Sequence, residues 1–596
     1  MRTQLLFFTI LTVAAGAACG HAPPPRVASP VTSAAPAAKP APALALDAPA
    51  LDRLVQAEWK KAGVTPAARA DDRVWLRRLW IDALGTLPPP DVVKRFAADA
   101  SPDKRAKMVD EVLASPQWAR HWTDYWDDAL MGTARGGDLD RAAFRAWLRA
   151  RFQSNAGWDE IVRGLLTATG RQSGGGPRVA EKDEEQGING AVNWTLRFDS
   201  PNDLAGTASR TFLGVQIQCA QCHDHKTEKW KQDDFRRFAT CFARVKPEVL
   251  DKGPTMGVKR VDVTDTARVP PRIAKNPDLA PLAGVAPRTL DGVDLSKEPD
   301  VRKAVGAWMT SKDNPWFAKE TTNRLWAHFL GRGFVDPVDD LRPGNPAVAE
   351  PVWDALTRDL VEHGFDLKRT VRTIALSEAY ALASGPAASG SGDKAGPIPL
   401  WSRFRVAPLA PIDLVGAIFA ATDVDEEAAA TGKVDTEQLR LQLLALYSFV
   451  FDVDEDVDKP QFEGTIPQAL TTLNGRLTTA GAAALPGSML WRRVGMGSSD
   501  EAIIEEMFLR VLGRPPTPTE LGRFVQYVAD QKVRPPPPRE TVPPPPPRRV
   551  DKPGKESKRP DPLVRAMANK PADARVAALE DVYWTLLNSS EFFFNH

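Results

Sequence analysis

Apolar residues return at helical spacing along most of this 596-residue chain, and proline or glycine cuts them into short runs. Leu51, Leu54, Val55 and Trp59 make one such stripe. Leu76, Leu79, Trp80, Ala83 and Leu84 make the next, which Gly85 and Pro88-Pro89-Pro90 stop. A period of about 3.6 residues lets one face of a helix bury itself, whereas a half-buried strand needs strict alternation. Further helices are expected over 91–98, 103–113, 142–152, 158–167, 202–213 and 233–245. One more opens at Ser115-Pro116 and carries Trp118, Trp122, Tyr125 and Ala129 as an aromatic stripe.

Between Lys246 and about Pro299 the pattern changes, and β-type runs such as Val258 to Val263 alternate with proline and glycine. Helical spacing then resumes. Asn314-Pro315 reads as a cap and first position, followed by Ala318, Thr322, Leu325 and Phe329 on one side. Helices over 348–362, 367–375, 411–421, 436–446, 501–512, 518–529 and 572–587 complete the reading. The fold class is mainly α: two multi-helical domains joined by an irregular connector with a little β. The expected segments are 47–245, 246–299 and 300–596, with a proline-rich, extended insertion at 534–561. A chain of 65.1 kDa is too long for a single core. Lys+Arg 77 against Asp+Glu 76 shows no footprint for nucleic acid.

The N-terminus reads as a targeting segment. Arg2, an apolar run from Leu5 to Val13 and small residues up to Cys19 resemble a lipoprotein signal over 1–19, and a Pro/Ala-rich tether follows to 46. The apolar run is shorter than the roughly 20 residues a membrane span needs. The expectation is an exported protein, periplasmic or anchored to the outer membrane through lipid on Cys19, touching the membrane by that anchor alone.

Cysteine is scarce, with four in the chain: Cys19, Cys219, Cys222 and Cys241. Two of them stand in Gln218-Cys219-Ala220-Gln221-Cys222-His223-Asp224-His225, the spacing of a c-type haem attachment site. There the thiols of Cys219 and Cys222 take the haem vinyl groups and His223 becomes the proximal ligand. Two alternatives stay open. Cys219, Cys222 and His225 with Cys241 beyond the next helix have structural-zinc spacing, and iron would suit a related set. Otherwise the stretch holds a local disulfide or two reduced thiols. Candidates for a sixth haem ligand or other metal contact are His121, His328, His225 and Met131. Asp452, Asp454, Asp456, Asp458 and Glu463 count like a calcium loop, but Val457 stands where glycine is required, so they read as a solvated acidic run.

Several stretches together resemble a known pair of domains. Arg77 to Pro88, Trp118 to Asp124 and Phe212-Leu213-Gly214-Val215 running into the Cys-His stretch resemble the planctomycete-type cytochrome-c-like domain. Asn314 to Ala318, Asn323 to Trp326, Phe329 to Gly333, Pro467 to Asn474 and Leu587 to Phe592 resemble the domain of unknown function that usually follows it. The resemblance implies export and a cytochrome-like role, with no assigned reaction. The expected function is electron transfer by haem c to a redox partner protein. Two other classes remain: a non-catalytic surface module, with the Cys-His stretch as a clasp and some Trp exposed for stacking, and a metal-dependent hydrolase. A second domain docked over the motif would place Trp326 or His328 near Cys222.

Overall fold

The structure is a computed structural model that describes residues 46–132, 139–173, 187–251, 259–385, 398–424, 439–444, 447, 475–533 and 573–596. Cys19, the tether, the acidic run at 452–463 and the proline-rich insertion lie outside the described residues. The rest is mainly helical, with a few short strands.

Local chemistry sets the helix ends. Asp47 caps Ala48–Ala62 through its carboxylate, and Asp71 caps Asp72–Leu84 by accepting from the Arg73 and Val74 amides. Both helices end on a left-handed glycine, Gly63 and Gly85. Ser115 caps Pro116–Met131, and Asn314 accepts from the Trp316 and Phe317 amides at 3.0 Å. The helix behind Asn314 is Phe317–Leu330, which starts two residues beyond the expected proline position. Two expected helices are shorter than their periodicity suggests. Gln232–Thr240 stops before Val245, whose backbone pairs in a sheet instead, and Glu350–Glu362 starts after Ala349, held at φ 50°.

The little β expected of the connector is a hairpin. Strands β1 (Gly170–Arg171), β2 (Val245–Asp251) and β3 (Arg260–Asp265) form an antiparallel sheet in the order β1-β3-β2, with Val245 opposite Asp265 and Gly170 opposite Val263. Strands β4 (Ala407–Pro408) and β5 (Phe594–Asn595) pair near the end of the chain.

Burial does not divide at the connector. One apolar core runs from Leu51 to Phe404, adds Leu509, and takes in Val261, Val263, Ile273, Leu282 and Leu295 of the connector. A second core gathers residues from Leu409 to Phe592. The Asp72–Leu84 helix serves both, because Trp75, Leu76 and Leu79 enter the first while Ile81 enters the second. Its arginines tie the same partners: Arg77 donates to the Val511 and Phe592 carbonyls at 2.9 and 2.8 Å, and Arg78 donates to those of Tyr380 and Leu382. Among the described residues no helix is long and apolar enough to cross a membrane.

Candidate functional site

The Pro201–Leu213 helix delivers the chain to the Cys-His stretch and ends at Gly214, φ +65°. A β-carbon there would lie 2.6 Å from Leu341 Cδ1 and 2.8 Å from Glu320 Oε2, so the turn requires glycine on both conformational and steric grounds. Val215, Ile217 and Ala220 point inward and are buried. The short 3-10 helix Gln218–Gln221 therefore turns Cys219, Cys222 and His223 out to solvent, with both thiols unbonded. Gln232, at the start of the next helix, clamps the loop. Its side-chain amide donates to the Gln221 carbonyl at 3.1 Å and the Cys222 carbonyl at 2.9 Å, and its backbone N–H donates to Asp224 Oδ1. Nothing in the spacing of the motif singles out Gln232; its role comes from the fold.

The two histidines of the stretch differ. His223 Nδ1 lies 2.8 Å from the Asp224 carbonyl, which can only accept, so Nδ1 carries the proton and Nε2 keeps its lone pair. That is the arrangement a metal-bound imidazole uses. His225 is the reverse. Its Nδ1 accepts from the Thr227 and Glu228 amides, at 3.3 and 3.0 Å, so Nε2 holds the proton of the neutral ring. His225 is therefore a turn-forming residue, which disfavours it as a ligand. It lines a cavity of about 210 Å³ with Val215, Glu228, Trp230, Leu341 and Arg342, and none of Cys219, Cys222 or His223 lines that cavity.

Cys241 is buried beyond the Gln232–Thr240 helix. Its thiol faces the Arg237 and Arg288 carbonyls at 3.7 and 3.8 Å, and burial pushes it up to about 12. It is a neutral donor in the core, a poor source of the thiolate that metals need. Among the described residues no group of three or more His, Cys, Asp or Glu is placed to hold a metal ion. The zinc set of Cys219, Cys222, His225 and Cys241 is thus not assembled.

The second half of the chain does meet the flank of the motif, but through residues 339–342. Arg210 pairs with Asp339 at 2.6 Å, and the Leu341 amide donates to the Gly214 carbonyl at 2.7 Å. Trp326 instead stacks on Phe334 and meets Trp401 edge-on, inside the first core. His328 packs against Trp122, Tyr125 and Phe329 and gives its Nε2 proton to the Asp82 carbonyl at 2.7 Å. His121 and Met131 are buried in the core, so neither is poised over an exposed His223. What the structure does bring together is His121 and His328, with ring centroids 6.0 Å apart.

Residues 50–247 match the family model PSCyt2, a protein of unknown function (DUF1549), and residues 301–445 match PSD1, a protein of unknown function (DUF1553). That order, PSCyt2 followed by PSD1, is the one of the planctomycete-type pair of unknown-function domains. No curated relative and no solved structure matches it. The PSCyt2 match holds the whole Cys-His stretch and Cys241, while His328 and the residues at 339–342 that brace the stretch come from the PSD1 match.

Proposed function

We propose that this chain is an exported c-type haem protein with an electron-transfer role, anchored through lipid on Cys19. The observation that carries it is the state of His223: an exposed imidazole whose Nδ1–H is committed to a backbone carbonyl, beside two exposed, unbonded thiols. The donor set fits the group. Cys219 and Cys222 would take the thioether bonds and His223 Nε2 the iron. Bound there, haem supplies a one-electron couple. The chain's own contribution is positional. The Asp224 carbonyl fixes the ring, Gln232 holds the loop backbone, and the buried Val215, Ile217 and Ala220 seat the motif. Asp224, Lys226 and Gln221 around it are exposed, which suits contact with a redox partner at the surface.

The surface-module alternative draws less support, since Trp75, Trp118, Trp122, Trp158, Trp194 and Trp326 are all core residues and of the seventeen tryptophans only Trp491 and Trp584 are exposed. The test is production of the whole chain with haem-attachment machinery. The expected result is haem retained through a denaturing gel, with a sharp α band in the reduced-minus-oxidised spectrum, both lost in Cys219→Ala/Cys222→Ala. A colourless protein with both thiols still titratable would end this reading.

A further inference from the structure

The two cores meet at a polar junction far more buried than the Cys-His stretch. The Pro411–Thr422 helix belongs to the second core, and its start rests on the end of the Asp72–Leu84 helix. The approach is so close that a methyl at Gly416 would overlap the Gly85 carbonyl, and one at Gly85 would overlap His121. Into this contact the helix sends Asp413. Its carboxylate lies 3.7 Å from His121 Nδ1, about 1 Å beyond hydrogen-bond distance. Asp413 Oδ1 and both ring nitrogens of His121 lack a hydrogen-bond partner, although His121 is only 2% exposed. Buried polar atoms left so are costly and call for an explanation.

The charges around the pair point to one. From the Asp72–Leu84 helix comes Asp82, whose oxygens accept from Tyr380 and Asn595 at 2.7 Å, and Arg78, which is turned to backbone carbonyls. From Pro116–Met131 come His121 itself and Asp124, the latter paired with Arg145 and Arg440. From Phe317–Leu330 comes His328, whose Nε2 proton goes to the Asp82 carbonyl, leaving Nδ1 as an acceptor. The Arg440 cation near Asp413 is thus already paired with Asp124, and Asp82 adds a second acid. Burial, then Asp82, holds the Asp413 carboxyl well above the usual carboxylate range, while burial and His328 pull His121 down to about 3. An acid that keeps its proton and an imidazole that refuses one are complementary as donor and acceptor.

We propose that Asp413, His121 and His328 form a one-directional hydrogen-bond chain that latches the second core onto the first while Asp413 is protonated. The Asp413 hydroxyl donates to His121 Nδ1, His121 Nε2–H donates to His328 Nδ1, and His328 Nε2–H donates to the Asp82 carbonyl. Every donor then has an acceptor, at the expense of closing two gaps: the 3.7 Å one at Asp413, and the one between the imidazoles, whose centroids at 6.0 Å stand farther apart than a ring-to-ring hydrogen bond spans. Loss of the Asp413 proton removes the first donor and leaves a second buried carboxylate beside Asp82. If His121 turns its proton to Nδ1 in response, two bare nitrogens face each other and the link to His328 fails. The junction is then weaker as pH rises, independently of any haem.

The experiment is hydrogen exchange on the whole chain, read on residues 411–422 and corrected for intrinsic rates, at about pH 6 and about pH 9. The expected result is protection that falls about tenfold or more in the native sequence. In Asp413→Asn the side-chain amide can donate to His121 but cannot titrate, so protection there should fall clearly less than in the native chain across the same range, the remainder being the share of Asp82 and Glu320. Equal pH dependence in the two proteins, or none in the native one, overturns the proposal. Infrared difference spectra at about pH 6 give an independent reading. Asp82 and Glu320 also keep protons at that pH, so the reading is the native-minus-Asp413→Asn difference: a protonated-acid carbonyl band in that difference supports the latch, and its absence refutes it.

Discussion

Asn595 donates its side-chain amide to Asp82 Oδ1 at 2.7 Å, across 513 positions of sequence. The other oxygen of the same carboxylate accepts from Tyr380, so one buried acid on the Asp72–Leu84 helix joins strand β5 to the first core. Replacing Asn595 by Ala leaves a lone pair without a partner in a dry site. The expected cost is about 1–3 kcal/mol, read as a lower urea midpoint with unchanged slope. A variant as stable as the native chain would show that the contact is incidental.

Two buried acids set a pH dependence of stability. Burial lifts Asp82 to about 7 against the opposing bonds of Tyr380 and Asn595, and lifts Glu320 to about 8 despite its pairing with Arg324. Each group binds its proton more tightly when folded. The stability it contributes is therefore full below the ordinary carboxylate range and is lost as pH rises through about 7 and about 8. Urea midpoints should fall between about pH 5 and about pH 9, and Asp82→Asn/Glu320→Gln should flatten that decline. A native midpoint that rises over this range would contradict the assignment.

Gly214 is the hinge between helix and motif. Gly214→Ala places a methyl against Leu341 and Glu320 at a left-handed position, and about 1–3 kcal/mol of destabilisation is expected. Differential scanning calorimetry reads it directly. The same change at Gly63, where the space is open, should cost less.

Thiol accessibility follows burial. In chain made without haem attachment, peptide mapping after maleimide treatment should find Cys219 and Cys222 modified within minutes under native conditions. Cys241 should stay unmodified until denaturant is added, since its thiol is both buried and strongly protonated. Native labelling of Cys241 at a matching rate would mean that its helix opens readily.

Much of the local structure could be read directly. Leu367–Ala375 spans the residues its periodicity marks, and Asp366 supplies the cap. Side-chain caps, glycine stops and a 3.6-residue stripe are short-range signals, so they survive without knowledge of the neighbours. Where long-range pairing competes, they fail: Val245 continues a helical pattern but goes to β2, because β3 offers its backbone a partner. The Cys-His stretch was legible for the same local reason, while the clamp by Gln232 and the brace from residues 339–342 were not.

His121 and His328 mark the limit most clearly. As lone histidines on apolar stripes they invite a reading as metal ligands, and sequence offers no way to see that they face each other with Asp413 beside them. Asp82 carried a faint signal, a charge set between Ile81 and Ala83 in an apolar run. Residue order fixed the helices, their ends and the thiol–imidazole spacing, because each depends on atoms a few positions apart. Tertiary packing alone decided which core each helix serves, which imidazole nitrogen keeps its proton and which acids lose water, because those depend on groups brought together from hundreds of positions away.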